Sequence, residues 1–122
     1  MSNPVGWFEI YVHDMVRAKA FYEAMLGVQL NKLEGADLDM WAFGMAQENY
    51  GASGALVHMP GSPVGGNSVL VYFSCADCAV EAAKAQQAGG RIHKAKTSIG
   101  AYGHIALVID TEGNMVGLHS MQ

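Results

Sequence analysis

The chain has 122 residues, of which 51% are hydrophobic and 15% are charged, with a net charge of −4 and a pI of about 5.6. This length and composition are typical of one globular domain with its own core. The acidic balance argues against a nucleic-acid binder, whose contact surface is basic, and against docking on anionic membranes. No apolar run approaches the roughly 18 residues that span a bilayer, so we expect neither a nucleic-acid nor a membrane partner.

The first residues and the cysteines bear on the cellular compartment. MSNPVGWFEI lacks the basic segment and apolar core of a signal peptide, so we expect a cytoplasmic protein. Cys75 and Cys78 form a single C-x-x-C pair, which is typical of thioredoxin-like sites or of half a zinc site. The alternative is that Cys75 ends a strand and Cys78 lies in the first turn of a helix. We favour this alternative because no further cysteines complete a zinc site.

The first half of the chain predicts a strand, a helix and three further strands. Residues 7–12, WFEIYV, form a short apolar strand, and Asp14 is suited to cap the helix that follows. Gly27 ends that helix, since glycine adopts a left-handed backbone at the lowest cost. The remaining predicted strands are VQLNKLEG, LDMWAFGM and SGALVHM, at residues 28–35, 38–45 and 53–59, with the turn ENYGAS before the last.

The second half repeats this pattern. Asp77 lies 63 residues after Asp14 (77 − 14), and under the same shift LVYFSC, at residues 70–75, matches the first strand. Gly90 then matches Gly27 at the end of the helix. The later strands are RIHKAKTSIG, GHIALVID and MVGLHSM, at residues 91–100, 103–110 and 115–121. The repeat therefore covers residues 7–58 and 70–121, joined by a Gly-, Pro- and Ser-rich linker at residues 59–69.

Each half is thus predicted to be a βαβββ module. A four-stranded sheet with one helix is not expected to be stable alone, because it leaves an apolar face uncovered. We therefore predict one α+β domain over residues 1–122. Its two tandem modules would form an open, curved sheet barrel with the helices outside. A cleft between the sheets is the expected ligand site.

Three stretches resemble a known family: DMVRAKAFYEAMLG at 14–27, AAKAQQAGG at 82–90 and GHIALVIDTEGNMVGL at 103–118. On these stretches the chain resembles the vicinal oxygen chelate superfamily. That superfamily includes glyoxalase I, extradiol dioxygenases, fosfomycin-resistance enzymes and bleomycin-binding proteins. The opening strand is similar to that of its small glyoxalase-related branch. The resemblance implies the same fold, a small-molecule ligand and a homodimer.

The resemblance also implies where a divalent cation would bind. The superfamily's metalloenzymes take their ligands from the first and last strands of each half. Those positions hold Trp7 and Leu70 on the first strands, and Gly54 and Gly117 on the last strands. None of these side chains offers a donor atom that suits such a cation. We therefore expect no metal and no other cofactor at the standard site.

The polar residues that share these strand faces are the candidate site. Strand alternation puts Glu9, Tyr72 and His119 on the same faces as the expected ligand positions. Glu9 is the leading candidate, since an unpaired carboxylate is costly to bury. It meets a partner, is protonated or faces solvent. We predict Glu9, Tyr72 and His119 as catalytic residues, the alternative for each being a structural role. The predicted ligand-binding residues are Trp7, Glu9, Trp41, Phe43, Leu70, Tyr72, His104, Gly117 and His119.

Four functions are compatible with this site. The first is a protein that binds a small apolar or carbonyl-bearing molecule without a metal ion. The bleomycin-binding members likewise lack the metal site. The second, our main alternative, is a lyase or isomerase that uses Glu9 as an acid or base. The third is a glyoxalase-type metalloenzyme with relocated ligands such as Glu9 and His119. The fourth is a structural module whose cleft is filled by its own side chains.

Overall fold

The computed structural model describes residues 3–46 and 50–122, so the predicted turn ENYGAS lies partly outside the described residues. The first module contains β1 (Trp7–Tyr11), α1 (Met15–Leu26), β2 (Asn31–Lys32), β3 (Asp39–Ala42) and β4 (Ser53–His58). The second contains β5 (Tyr72–Ser74), α2 (Cys78–Gln87), β6 (Arg91–Ser98), β7 (His104–Ile109) and β8 (Met115–Ser120). A short 3-10 turn, Gly100–Tyr102, precedes β7. The order of elements confirms the predicted pair of βαβββ modules.

Each module has its own four-stranded sheet, with strand orders β1-β4-β3-β2 and β5-β8-β7-β6. In both sheets the first strand runs parallel to the last, and the other pairs are antiparallel. Helices α1 and α2 contact each other. The predicted α+β fold is therefore confirmed. Among the described residues the strands form two separate open sheets, not one continuous hydrogen-bonded sheet. None of the helices described is long and apolar enough to cross a membrane.

Both helices begin at the predicted aspartates. Asp14 and Asp77 have extended backbones, and each carboxylate accepts a hydrogen bond from a backbone N–H in the first turn of its helix. Gly27 ends α1 with φ 66°, as predicted. In the second module the left-handed residue is Gly89, with φ 103°, rather than Gly90. Helix α2 ends at Gln87, so the repeat slips by one residue there.

An aromatic cluster at the centre of the core joins the two modules. The ring centroids of Phe8 and Phe43 in the first module lie 5.9 and 5.6 Å from that of Phe73 in the second. Tyr22, on α1, packs 5.8 Å from Phe43 and 6.0 Å from Phe73. Such aromatic pairs add to the stabilisation from burying apolar area. The two halves thus share one core between the sheets and the helices.

Buried polar contacts also join the modules, through the turn between β7 and β8. The Tyr22 hydroxyl donates to Asp110 Oδ2 at 2.6 Å. Glu112 accepts hydrogen bonds from the Arg17 guanidinium and from two backbone N–H groups at the start of α1. A turn of the second module therefore binds the chain directly before the first module's helix and the first turn of that helix.

The cysteines lie where we expected them if their role is structural, at the end of a strand and in the first turn of a helix. Cys75 directly follows β5, and Cys78 is the first residue of α2 and is buried. Burial raises the pKa of the Cys75 thiol to about 12, and the nearby Glu81 charge adds to this effect. A redox-active or metal-binding cysteine requires a lowered pKa. The contacts of Cys75 therefore favour a structural role.

Candidate functional site

One face of each sheet is covered by helices, and the other, which we call the open face, is not. On β1, Phe8 and Ile10 enter the core beneath α1, whereas Trp7, Glu9 and Tyr11 lie on the open face. On the second sheet, the register pairs Tyr72 with Gly117 and Ser74 with His119. The alternating residues of β8, Val116 and Leu118, are core residues. Tyr72, Gly117 and His119 therefore lie on the open face, as predicted.

Glu9 meets two partners from its own strand. The Trp7 Nε1–H donates to Glu9 Oε2 at 3.2 Å, and the Tyr11 hydroxyl donates to Glu9 Oε1 at 2.8 Å. The hydrogen bond to Glu9 raises the pKa of Tyr11, and burial and the Glu9 charge act in the same direction. Glu9 itself is exposed. The structure therefore combines two of the three alternatives for this carboxylate. Glu9 has hydrogen-bonding partners, and it lies on a face that is open to solvent.

Two cavities flank this strand. The first, of about 210 Å³, lies beside Glu9 and Tyr11 at the junction of the modules. The second, of about 350 Å³, lies beside Trp7 and Ser53. The first cavity is lined by Glu9, Ile10, Tyr11, Pro63, Gly65, Asn67, Val69, Val71, Asn114, Met115 and Val116.

The linker between the modules forms one wall of the first cavity and is fixed by side-chain amides. Asn67 Nδ2 donates to the Met115 carbonyl at 3.1 Å, and Asn67 Oδ1 accepts from the Met115 N–H at 3.1 Å. Asn67 thus pairs with β8 as a backbone residue would. Asn114 Oδ1 accepts from the Gly65 N–H, and its Nδ2 donates to the Tyr11 carbonyl, both at 2.9 Å. The cavity wall is therefore tied to both modules.

Tyr72 lies against a glycine on the open face of the second sheet. A Cβ atom at Gly117 would collide with the Tyr72 ring, so only glycine allows this packing. Tyr72 remains 45% exposed. His119 Nε2 lies 2.6 Å from the Tyr102 carbonyl and must be the donor, because a carbonyl only accepts. In the described residues, no hydrogen bond joins Glu9 to Tyr72 or His119.

Trp41 and Phe43, which we expected in the cleft, lie on the helix-covered face. Trp41 pairs with Leu56, a core residue, and the Lys19 ammonium on α1 lies 4.8 Å from the centre of its ring. Phe43 belongs to the central aromatic cluster and is buried. The register of β3 on β4 gives Trp41 this orientation, and a hydrogen bond from the Phe43 N–H to the Gly54 carbonyl continues the pairing to Phe43. The sequence of β3 alone does not reveal it.

His104 and Leu70 are also placed differently from the predicted pocket. His104 pairs with Ser120, which is buried and accepts a hydrogen bond from the N–H of Cys78 in α2. This register puts His104 on the helix-covered face. Leu70 precedes β5, which begins at Tyr72, and is 37% exposed. Leu70 therefore lies outside the sheet, and the strand alternation that predicted its facing does not apply to it.

The expected metal-ligand position on β4 also changes by one residue. Gly54 pairs with Phe8, and a Cβ atom there would meet the Phe8 backbone and ring in the core. Ala55 pairs with Glu9 in the way that Gly117 pairs with Tyr72, so Ala55 holds the equivalent position. The true shift between the last strands is therefore 62 residues (117 − 55), not 63.

With Ala55 in place of Gly54, the residues at the four expected positions do not fit a divalent cation. They are Trp7, Ala55, Leu70 and Gly117, and none has a carboxylate, imidazole or thiolate group. Within residues 3–46 and 50–122, no three His, Cys, Asp or Glu side chains come together in a way that could hold a metal ion. One residue on the open face of β1 was not among the predicted site residues, namely Tyr11. Its position two residues after Glu9 on the same strand was the available signal.

Comparisons with known proteins agree with this fold. A sequence model of the Glyoxalase/Bleomycin resistance protein/Dioxygenase superfamily matches residues 5–118. No curated protein matches the chain significantly.

Several solved structures are similar to the chain. TnmS3, an antibiotic binding protein from Streptomyces sp. CB03234, has a TM-score of 0.69 and 24% identity over 98% of this chain and 96% of its own. A glyoxalase/bleomycin resistance protein from the same organism has a TM-score of 0.69 and 24% identity over 94% and 98%. Glyoxalase I from Zea mays has a TM-score of 0.72 and 22% identity over 97% of this chain and 46% of its own. The chain thus spans about half of the maize enzyme, and at these identities the likeness shows the fold.

Proposed function

Because the chain belongs to the Glyoxalase/Bleomycin resistance protein/Dioxygenase superfamily, we propose that it binds a small molecule on its open sheet faces without a metal ion. The molecule has an apolar or carbonyl-bearing body. One observation carries the proposal: the positions expected to hold metal ligands contain Trp7, Ala55, Leu70 and Gly117. Aromatic rings, rather than metal ligands, thus occupy the faces that a ligand would touch.

The exposed aromatic side chains on the open faces support a binding role. Trp7 is 40% exposed and Tyr72 is 45% exposed. Covering an exposed part of roughly 80 Å² on each ring would contribute about 2 kcal/mol per ring. This burial favours binding, and further contacts have to offset the freedom that the ligand loses on association. The similarity to TnmS3, an antibiotic binding protein, supports such a role for this fold.

A thermal-shift screen of aromatic and carbonyl compounds tests the proposal, since a ligand of the folded state raises the melting temperature. We expect a saturable rise that is reduced in Trp7→Ala and in Tyr72→Ala. Val16→Ala is the matched control, because Val16 is 82% exposed on the outer helix α1. Absence of any shift across the screen contradicts binding. A shift that requires a stoichiometric divalent cation contradicts the metal-free site.

A second candidate function is a lyase or isomerase reaction with Glu9 as the acid or base. The observation that favours it is that both Glu9 oxygens are oriented by hydrogen bonds while the carboxylate stays exposed. An oriented carboxylate is suited to proton transfer with a bound molecule. Glu9→Gln should then abolish turnover of a compound that the variant still binds. Unchanged turnover in Glu9→Gln would eliminate this reaction.

A further inference from the structure

Trp7, Glu9 and Tyr11 form what we call the β1 row, in which a carboxylate lies between two aromatic side chains. Both groups that hydrogen-bond to Glu9, an indole N–H and a phenol O–H, are neutral. Across residues 3–46 and 50–122, the ion pairs are Arg17–Glu112, Lys19–Glu23 and Lys96–Asp77. The protein thus orients the Glu9 carboxylate without supplying a cation to it.

The hydrogen bonds of the β1 row engage the edges of its aromatic rings and not their faces. Indole N–H and phenol O–H bonds lie in the planes of their rings, so the edges of Trp7 and Tyr11 contact Glu9. Their faces take no part in these bonds. The face of an aromatic ring carries negative electrostatic potential and attracts cations, with tryptophan the strongest. The carboxylate and both ring faces therefore favour the same kind of group, a positive charge.

The neighbouring cavity is consistent with an alkylated cation. Its volume is about 210 Å³, and its walls include Val69, Val71 and Met115 as well as Glu9 and Tyr11. A small inorganic cation would gain nothing from apolar walls. An anion would be repelled by Glu9. A cation with methyl or methylene groups satisfies the Glu9 carboxylate, the Tyr11 ring and the apolar wall together, and Trp7 lies on the other side of Glu9, beside the second cavity.

From these contacts we propose that the ligand carries an organic cation, an ammonium or alkylated ammonium group, which lies against Glu9 between Trp7 and Tyr11. This inference rests on the proposed binding function and specifies the chemical class of its ligand. Glu9 then supplies charge recognition, and the two aromatic side chains supply the preference for an alkylated cation over a hydrated metal ion.

A pair of isosteric probes tests this inference. Choline carries a trimethylammonium group, and 3,3-dimethyl-1-butanol replaces its nitrogen by carbon and has no charge. Trp41→Phe leaves Trp7 as the only tryptophan of the chain, so tryptophan fluorescence then reports on the β1 row. We expect choline to bind at least about tenfold more tightly than the alcohol, equivalent to about 1.4 kcal/mol. Calorimetry with the unmodified chain repeats the comparison without any substitution.

Glu9→Gln keeps the size of the side chain and removes its charge. We expect this variant to bind the two probes within about twofold of each other, and added salt to weaken choline binding only in the protein that retains Glu9. Glu34→Gln is the matched control, because Glu34 is an exposed carboxylate outside the β1 row. It should leave choline binding unchanged.

The outcomes separate this inference from the proposed function. Equal affinity for choline and the alcohol, or a choline preference that survives Glu9→Gln, overturns the cation assignment. Binding of neutral compounds in the thermal-shift screen, with no choline binding, also overturns it while the binding function stands. If no compound binds in the screen and neither probe binds, both proposals fail.

Discussion

Replacing Glu112 with glutamine should weaken the contact between the two modules. The Glu112 side chain is fully buried, with 0% exposure, and lies 2.6 Å from Arg17 Nε. It also accepts hydrogen bonds from the backbone N–H groups of His13 and Asp14, each at 2.9 Å, and from the Thr111 hydroxyl at 3.0 Å. Glutamine has nearly the same volume but carries no charge, and its NH₂ group cannot accept from these donors. The substitution therefore removes charge while keeping the packing.

The pKa of Glu112 sets the size of the effect. Burial acts to raise this pKa, but the hydrogen bonds from Arg17 and the other donors outweigh it and lower it from 4.5 to about 2. The ionised carboxylate therefore stabilises the fold above about pH 4.5, and this stabilisation is lost as the pH falls towards 2. The full difference corresponds to roughly 3 kcal/mol. Because Arg17 is half exposed, solvent screening reduces it to about 2 kcal/mol.

Urea unfolding at pH 7 and pH 3 measures this effect. At pH 7 we expect Glu112→Gln to lower the free energy of unfolding by about 2 kcal/mol. At pH 3 the loss should fall to about 0.8 kcal/mol, since much of the stabilisation by the native carboxylate is already gone. Glu34→Gln, at an exposed position, is the control and should leave unfolding unchanged at both pH values. A loss that is the same at pH 7 and pH 3 would refute the electrostatic argument.

Three further predictions follow from single contacts. Tyr22→Phe removes the buried donor to Asp110 and should lower the free energy of unfolding by about 1–3 kcal/mol in urea, an effect absent if the 2.6 Å contact does not form. Gly117→Ala places a methyl group against the Tyr72 ring and should lower the melting temperature, and adding Tyr72→Ala should restore much of it. If the double variant melts no higher, the ring does not cover Gly117. The Cys75 thiol, with its pKa raised to about 12, should react with a thiol reagent at pH 8 far more slowly than a free cysteine, and rapid labelling of folded protein contradicts this.

The fold was largely predictable because its signals are local. A capping aspartate, helical spacing and a terminal glycine define each helix within about 14 residues, so Asp14 and Gly27 identify α1 correctly. Strand existence also follows from local alternation. Helix α2 ends at Gln87 and the left-handed residue after it is Gly89 rather than Gly90, because the ends of helices are less sharply defined by local sequence than their starts.

The candidate site was predictable only where alternation along one strand was sufficient. Glu9 was assigned to the correct face because it shares β1 with Trp7, and Tyr72 lies on the same face as Gly117, with which it pairs. Trp41, Phe43 and His104 were misplaced, because the facing of a later strand depends on its register against a neighbour. A shift of one residue exchanges the two faces of a strand. The same dependence on register explains why Ala55, and not Gly54, holds the expected ligand position on β4.

The sequence by itself determined the repeat, the helix starts, the βαβββ order and the absence of donor atoms at the expected metal positions, since each depends on residue identity at fixed spacing. Only the tertiary structure decided which partners Glu9 meets, that Tyr72 covers Gly117 and that Glu112 joins the modules. These contacts depend on rotamers and on pairs up to 99 residues apart, such as His13 and Glu112. Their geometry is fixed only when the two modules pack around a common core.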